Sequence, residues 1–502
     1  MTDKPSSSIP VWVWLIGGCA LLTLVVSCIA AMVVLLGGVL FVSAPSVSSP
    51  PSVVTAVVVT VGPETRPPTA TDTPLPTDEI ATPTDTPPQT PTPPGSEPEE
   101  TAVPANGSED GGGDADAETR QQIEANVVEL RGLPQLEAVE PTALNPAELR
   151  QRLEADFMED YSPEEGRLDV LTLSAFDFLE REFDLFNFTI DLLTEQVAGF
   201  YDPETDEFVV ISSGEASFTV LEQFTYAHEF VHALQDQHFQ LDLLSDESLD
   251  SEAAFALRAL AEGDATLAQT LYVSEGYFTQ EQLLEILASV GEFDSTVFDS
   301  APPVLAHELE FPYTAGLEFA QTLYAQGGYA AVDEAWENLP QSTEQIIHPE
   351  RYLSSDEPQI ASLQPLTDTL GTGWQRLDED TLGEFYLREY LIQQLNAVAT
   401  DTAATGWGGD RYTVYWNEEA QQIVMILKLV WDTPADLEEF ATAYETYPAN
   451  LFGATAATQP DGGQCWQGAD VICLYNNGEE TMIVRAPDLE TAASVAAVQA
   501  VE

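Results

Sequence analysis

The pentapeptide His228-Glu229-Phe230-Val231-His232 lies within AHEFVHALQDQHF, residues 227–239, and His238 follows it; together these are three of the five histidines in a chain of 502 residues. On an α-helix, positions i and i+4 share a face, so both imidazoles of an HExxH pattern can reach one metal ion. The intervening Glu229 points about 100° away, where it can hold a metal-bound water and act as a base without joining the ligands. A helix is the expected scaffold. Val220, Leu221, Phe224, Ala227, Val231 and Leu234 form an apolar stripe at helical spacing, as a helix crossing a core would.

A catalytic zinc site needs three protein ligands and one open position. Two residues compete for the third place. His238 has the spacing of the HExxHxxGxxH arrangement, but Gln235 stands where that pattern has the glycine that breaks the helix. In a continuing helix, His238 is turned about 80° away from His228. Glu262, in AEGDA, offers a carboxylate from a second helix, and Gly263 beside it is expected to let that helix approach the motif helix closely.

HExxH followed by a distant Glu-Gly-x-Ala resembles the gluzincin metallopeptidases, although the stretch from His232 to Glu262 is longer than in that type, with LDLLSDESLD as the insertion. The resemblance implies Zn2+ held by His228, His232 and Glu262, with Glu229 as general base. It further implies that Tyr313, in the Tyr-x-x-Gly of PYTAG, stabilises the oxyanion of the tetrahedral intermediate. His348, in STEQIIHPERY, is the runner-up donor, while His307 in LAHELEF is read as a surface residue. The zincin topology also implies that the hairpin containing Phe208 to Ile211 is the sheet edge above the metal, where a substrate peptide could add as a strand. Together with GFYDPETDEFVV and GWGGDRY, these motifs look like a poorly characterised bacterial family of zincin-like metallopeptidases, over about Arg120 to Trp431. The GxMEN signature of the aminopeptidases is absent, which favours an endopeptidase acting on peptides or proteins.

The elements that must position these residues point to an α+β fold: a mostly helical zincin-like domain with a small sheet at 119–365, then a small α+β domain at 366–502. Helical spacing appears in QQIEANVVELRGL, in PAELRQRLEADFMEDY and in one long helix from Gly166 to about Glu195; EQVAGFYDPETDEFVVIS reads as a β-hairpin. The later domain repeats a strand-strand-helix order. Cys465 and Cys473, flanking a turn, are expected to form a disulfide.

Residues 11–42 carry no charge and read as a single membrane-spanning helix, with Cys28 left as part of it rather than lipidated. The positive-inside bias of Lys4 then places residues 1–10 in the cytoplasm and everything after the helix outside the cell. Residues 43–118 are rich in Pro, Thr and acids and are expected to form a disordered stalk. With 15 basic against 85 acidic residues and a formal charge of -70, nucleic acid is excluded as a partner. The rival functions are another zinc amide hydrolase acting on cell-wall material, and a catalytically inactive zincin-like domain that binds at the cell surface.

Overall fold

The computed structural model describes residues 111–500, apart from 213–217, 246–248 and 291–294, so the expected membrane helix and most of the stalk lie outside the described residues. Among the described residues, no helix is long and apolar enough to cross a membrane. Helix α1 (Gly111–Arg131) begins inside the segment read as stalk and is followed by strand β1 (Pro141–Leu144) and helices α2 (Pro146–Asp160), α3 (Pro163–Ala175) and α4 (Leu185–Gln196). The single helix expected from Gly166 to Glu195 is therefore two. Phe176 and Phe178 both turn into the core around Asp177, whose φ is 59°, and Asp184 restarts the helix by accepting from the Asn187 backbone N–H.

Strands β2 (Gly199–Asp202) and β3 (Glu207–Ile211) form the expected antiparallel hairpin. Asp202 builds its turn by accepting from the Glu204 backbone N–H and the Thr205 hydroxyl. On the other side of β3, β1 pairs in parallel, giving the order β1-β3-β2. Phe208 to Ile211 is thus the middle strand; of the hairpin expected at the sheet edge, β2 lies at the edge, and β1 forms the other edge. The sequence hid this because β1 is a four-residue PTAL with no buried position to set an alternation.

The motif helix α5 (Val220–Phe239) starts at a capping box in which Thr219 accepts from the Glu222 N–H and Glu222 accepts from the Thr219 N–H. From Phe224 to Gln235 every residue is buried, so the helix crosses the interior instead of lying on its surface. After a 3-10 turn at Leu241–Ser245, helix α6 (Ser251–Ser274) returns alongside it, capped by Asp250 and buried along most of its length. Then follow α7 (Gln280–Val290), α8 (Thr296–Asp299), α9 (Pro303–Gly327), α10 (Tyr329–Glu337), α11 (Thr343–Ile347), α12 (Pro349–Leu353) and α13 (Thr367–Leu370).

The close crossing expected at Gly263 exists, but its partner is α9 rather than the motif helix. A Cβ on Gly263 would stand 2.1 Å from the Gly316 carbonyl oxygen, and one on Gly316 would stand 2.2 Å from that of Ala259. Only two residues without side chains let these helices touch backbone to backbone. The contact fixes the height of Glu262 on α6 against Tyr313, one turn before Gly316 on α9.

Beyond residue 370 come β4 (Trp374–Asp380), α14 (Gly383–Ile392), α15 (Ala397–Ala404), β5 (Trp407–Asn417), β6 (Gln422–Trp431), α16 (Pro434–Tyr444), α17 (Thr446–Phe452), β7 (Ala457–Thr458), β8 (Gln464–Gln467), β9 (Val471–Asn476), β10 (Glu480–Ala486) and α18 (Leu489–Gln499). The strands make one antiparallel sheet in the order β4-β5-β6-β10-β9-β8-β7, and β6 against β10 joins the two strand-strand-helix units. Cys465 faces Cys473 across β8 and β9, and the expected disulfide is formed. Asp410, in GWGGDRY, starts α14 by accepting from the Leu382 and Gly383 backbone N–H groups and is held by the Trp407 indole. One apolar cluster includes Leu171, Ile190 and Tyr313 as well as Tyr390, Val414 and Leu427, so the helices before residue 365 share a core with the sheet after it.

Because neither carbonyl at the α6–α9 crossing can move without shifting a helix, Gly316→Ala is expected to cost about 3 kcal/mol of stability. Chemical denaturation of the two proteins checks this, and an unchanged midpoint would show that the crossing relaxes freely.

Candidate metal centre

His228 and His232, one turn apart on α5, point their Nε2 atoms toward Glu262 on α6. The two Nε2 atoms are 3.2 Å apart, and Glu262 Oε2 is 3.1 Å from that of His228 and 3.3 Å from that of His232. All three side chains are at most 4% exposed. Ligands held at about 2.0–2.1 Å around a tetrahedral ion lie about 3.3–3.4 Å from one another, so this triangle already has nearly the edge that zinc requires. The donor set selects in the same direction. Two imidazoles and one carboxylate suit zinc or a related first-row transition ion and poorly suit calcium or magnesium, which take oxygen ligands. Among the described residues this is the group able to hold a metal ion.

The electrostatics favour a positive charge at the centre of the triangle. Burial pushes the His232 imidazolium down, yet the facing Glu262 carboxylate overrides it and carries the group up to about 9. Burial likewise pushes Glu262 up, but the two imidazoles outweigh it and hold the carboxyl down to about 2. A dry carboxylate opposed by two ring nitrogens demands a cation, either a proton or a metal.

Glu229, fully buried, leaves the same helix between the two ligands. The backbone of β2 passes close to it: a Cβ on Gly199 would lie 3.4 Å from Glu229 Cγ and 3.1 Å from Thr225 Cγ2. The edge strand nearest the HExxH helix is therefore β2, through a residue with no side chain to obstruct it. Tyr313 is also brought to the centre. Its ring centroid is 6.2 Å from that of His228, and it is buried in the apolar cluster that includes Phe200 and Val209.

The remaining histidines go elsewhere. His238 sits at the end of α5 and lies 2.8 Å from the Pro134 carbonyl oxygen. His348, between α11 and α12, is 3.2 Å from Glu384, a buried acid on α14 that also pairs with Arg388. His307 is about half exposed and lies 2.9 Å from Glu389. Sequence reasoning missed one participant. Gln235 entered only as the absence of a glycine, yet it is fully buried, with Oε1 2.8 Å from His232 Nδ1. Its place one helical turn after His232 was the available signal.

Comparison with known proteins reaches only the C-terminal part of the chain. A family model described as a domain of unknown function (DUF8575) matches residues 369–496, which leaves the HExxH helix and Glu262 outside the match. No curated protein and no solved structure matches.

Since the raised His232 group carries its proton at neutral pH, metal binding must displace it. Calorimetry of zinc binding at pH 7, in buffers of different ionisation enthalpy, should show release of about one proton per chain. Affinity should rise with pH and level off as His232 loses its proton near 9. Buffer-independent heats at pH 7 would contradict this.

Proposed function

We propose that the protein is a zinc-dependent metallopeptidase on a zincin-like scaffold, an endopeptidase held by its N-terminal segment at the outer face of a cell membrane. The observation that carries this reading is the buried convergence of His228, His232 and Glu262 with Glu229 rooted between the two histidines. When bound there, a zinc ion would supply a Lewis acid for the scissile carbonyl and lower the pKa of a water molecule. Glu229 takes the proton of the attacking water and delivers it to the departing amine. Tyr313, whose ring centroid is 6.2 Å from that of His228, would donate a hydrogen bond to the oxygen of the tetrahedral intermediate, since a phenol stays neutral while donating. An extended peptide would run along β2, whose backbone already lies against Glu229. Tyr313 is preferred to the runner-up donor His348 because its ring lies beside that of His228, whereas His348 pairs with Glu384 on α14.

A second reading, a metal site that only stabilises a surface-binding domain, draws on the burial of the centre, where His228 and Glu229 are fully covered. The donor count favours catalysis. Closed structural zinc sites take four protein ligands, whereas catalytic sites take three and leave a position for substrate; three side chains converge here. Substrate must then enter by displacing what lies over the donors. Hydrolysis of cell-wall amides would use the same residues, and product analysis separates it from peptide hydrolysis.

Glu229→Gln keeps the shape of the site and removes the base. It should bind zinc as the native chain does and cleave a casein substrate about 100- to 10,000-fold more slowly. Equal cleavage rates would remove Glu229 from the mechanism, and the absence of cleavage in the zinc-loaded native chain would favour the binding domain.

A further inference from the structure

Gln235 does more than fill space beside His232. Its Nε2 is 3.0 Å from the Ala261 carbonyl oxygen and 3.0 Å from Asp264 Oδ2. A backbone carbonyl can only accept, and Asp264 is already engaged as an acceptor. The Arg131 guanidinium pairs with both of its oxygens, at 2.8 and 2.9 Å, and the Trp336 indole N–H donates to it at 3.2 Å. The amide must therefore turn its NH2 toward this pair of acceptors, and its carbonyl oxygen must face His232. An amide oxygen cannot donate, so the His232 nitrogen 2.8 Å away, Nδ1, has to carry the hydrogen. This leaves Nε2 of the neutral ring with its lone pair, aimed at Glu262 and His228.

We infer that Gln235 is a positioning residue that fixes His232 as an Nε2 metal ligand, with Asp264 and Arg131 holding the amide in the one orientation that does so. The inference rests on the zinc-binding reading of the site. Several features of the structure fit a built device rather than chance packing. Arg131, Gln235 and Asp264 are each fully buried, and Arg131 also pairs with Asp333 at 2.7 Å and lies over the Tyr329 ring at 4.5 Å from its centroid. Burying an arginine and an aspartate is unfavourable before they pair, and their reach to His232 gives that pair a purpose beyond stability. His228 provides the contrast, because its Nδ1 meets no hydrogen-bond partner among the described residues. Only one of the two imidazoles is held in this way, and it is the one whose carboxamide comes from its own helix. The relay also ties the centre to α1, since Arg131 is that helix's last residue.

The test uses the full-length chain with zinc as the probe and two variants of one residue. Gln235→Leu keeps the volume but offers no acceptor, and should weaken zinc binding about 10- to 100-fold. Gln235→Glu keeps an acceptor for Nδ1–H and should bind within a few-fold of the native chain, despite placing a second acid beside Asp264. Packing alone predicts the reverse order, with leucine tolerated and glutamate damaging. Nitrogen-15 labelling of histidine reads the tautomer directly, without any variant, in a chain with only five histidines. The zinc-loaded native protein should show His232 protonated at Nδ1 and metal-bound at Nε2. Ligation through Nδ1, or unchanged affinity in Gln235→Leu, would overturn the relay while leaving the zinc site intact; failure of the native chain to take up zinc would overturn both.

Discussion

A carboxylate buried between two imidazoles is unstable unless a positive charge sits among them, and the helical half of the fold is arranged around that constraint. His228, His232 and Glu262 lie within hydrogen-bond distance of one another in a site closed to solvent. Two long helices must cross the interior side by side to bring them together, and interior helices need apolar surroundings on every side. That requirement accounts for the unbroken burial of α5 from Phe224 to Gln235 and of α6 through its middle turns. Some of the polar side chains admitted there, Gln235 and Asp264 among them, reach toward the centre.

The supports form a hierarchy. Backbone contact at Gly263 and Gly316 sets α6 against α9, and so sets Glu262 relative to Tyr313. Gly199 lets the β2 edge come down onto Glu229. The buried pair of Arg131 and Asp264 reaches His232 through Gln235, so the helix that follows the Pro/Thr-rich segment contributes to a ligand three side-chain contacts away. The large C-terminal sheet takes no part in the donor set, but it shares the apolar cluster that contains Tyr313 and thereby backs α9.

The spacing of His228, Glu229 and His232 could be read directly from the sequence because the helix repeat alone decides which residues share a face. Glu262 could be read because its Glu-Gly-x-Ala setting resembles the third-ligand motif of the gluzincins and the glutamine at 235 argued against His238. Both readings concern short-range geometry or ligand preference. What remained illegible depended on long-range pairing. Nothing in PTAL announced a strand parallel to β3, so which strand of the hairpin lies at the edge was not legible. Gly263 announced a close approach but could not name its partner, since any helix with a small residue at the right height would serve. The role of Gln235 required the positions of Ala261, Asp264 and Arg131 together, contributions from two further helices.

The central claim is that these three side chains hold one ion. X-ray absorption spectroscopy at the zinc edge, on the full-length chain after removal of loosely bound metal, tests it most directly. The expected result is one zinc per chain with two imidazole nitrogens and one carboxylate oxygen among its ligands, and loss of the oxygen donor with much weaker binding in Glu262→Ala. A third imidazole in the native spectrum, or an unchanged spectrum in Glu262→Ala, would contradict the assignment of the site.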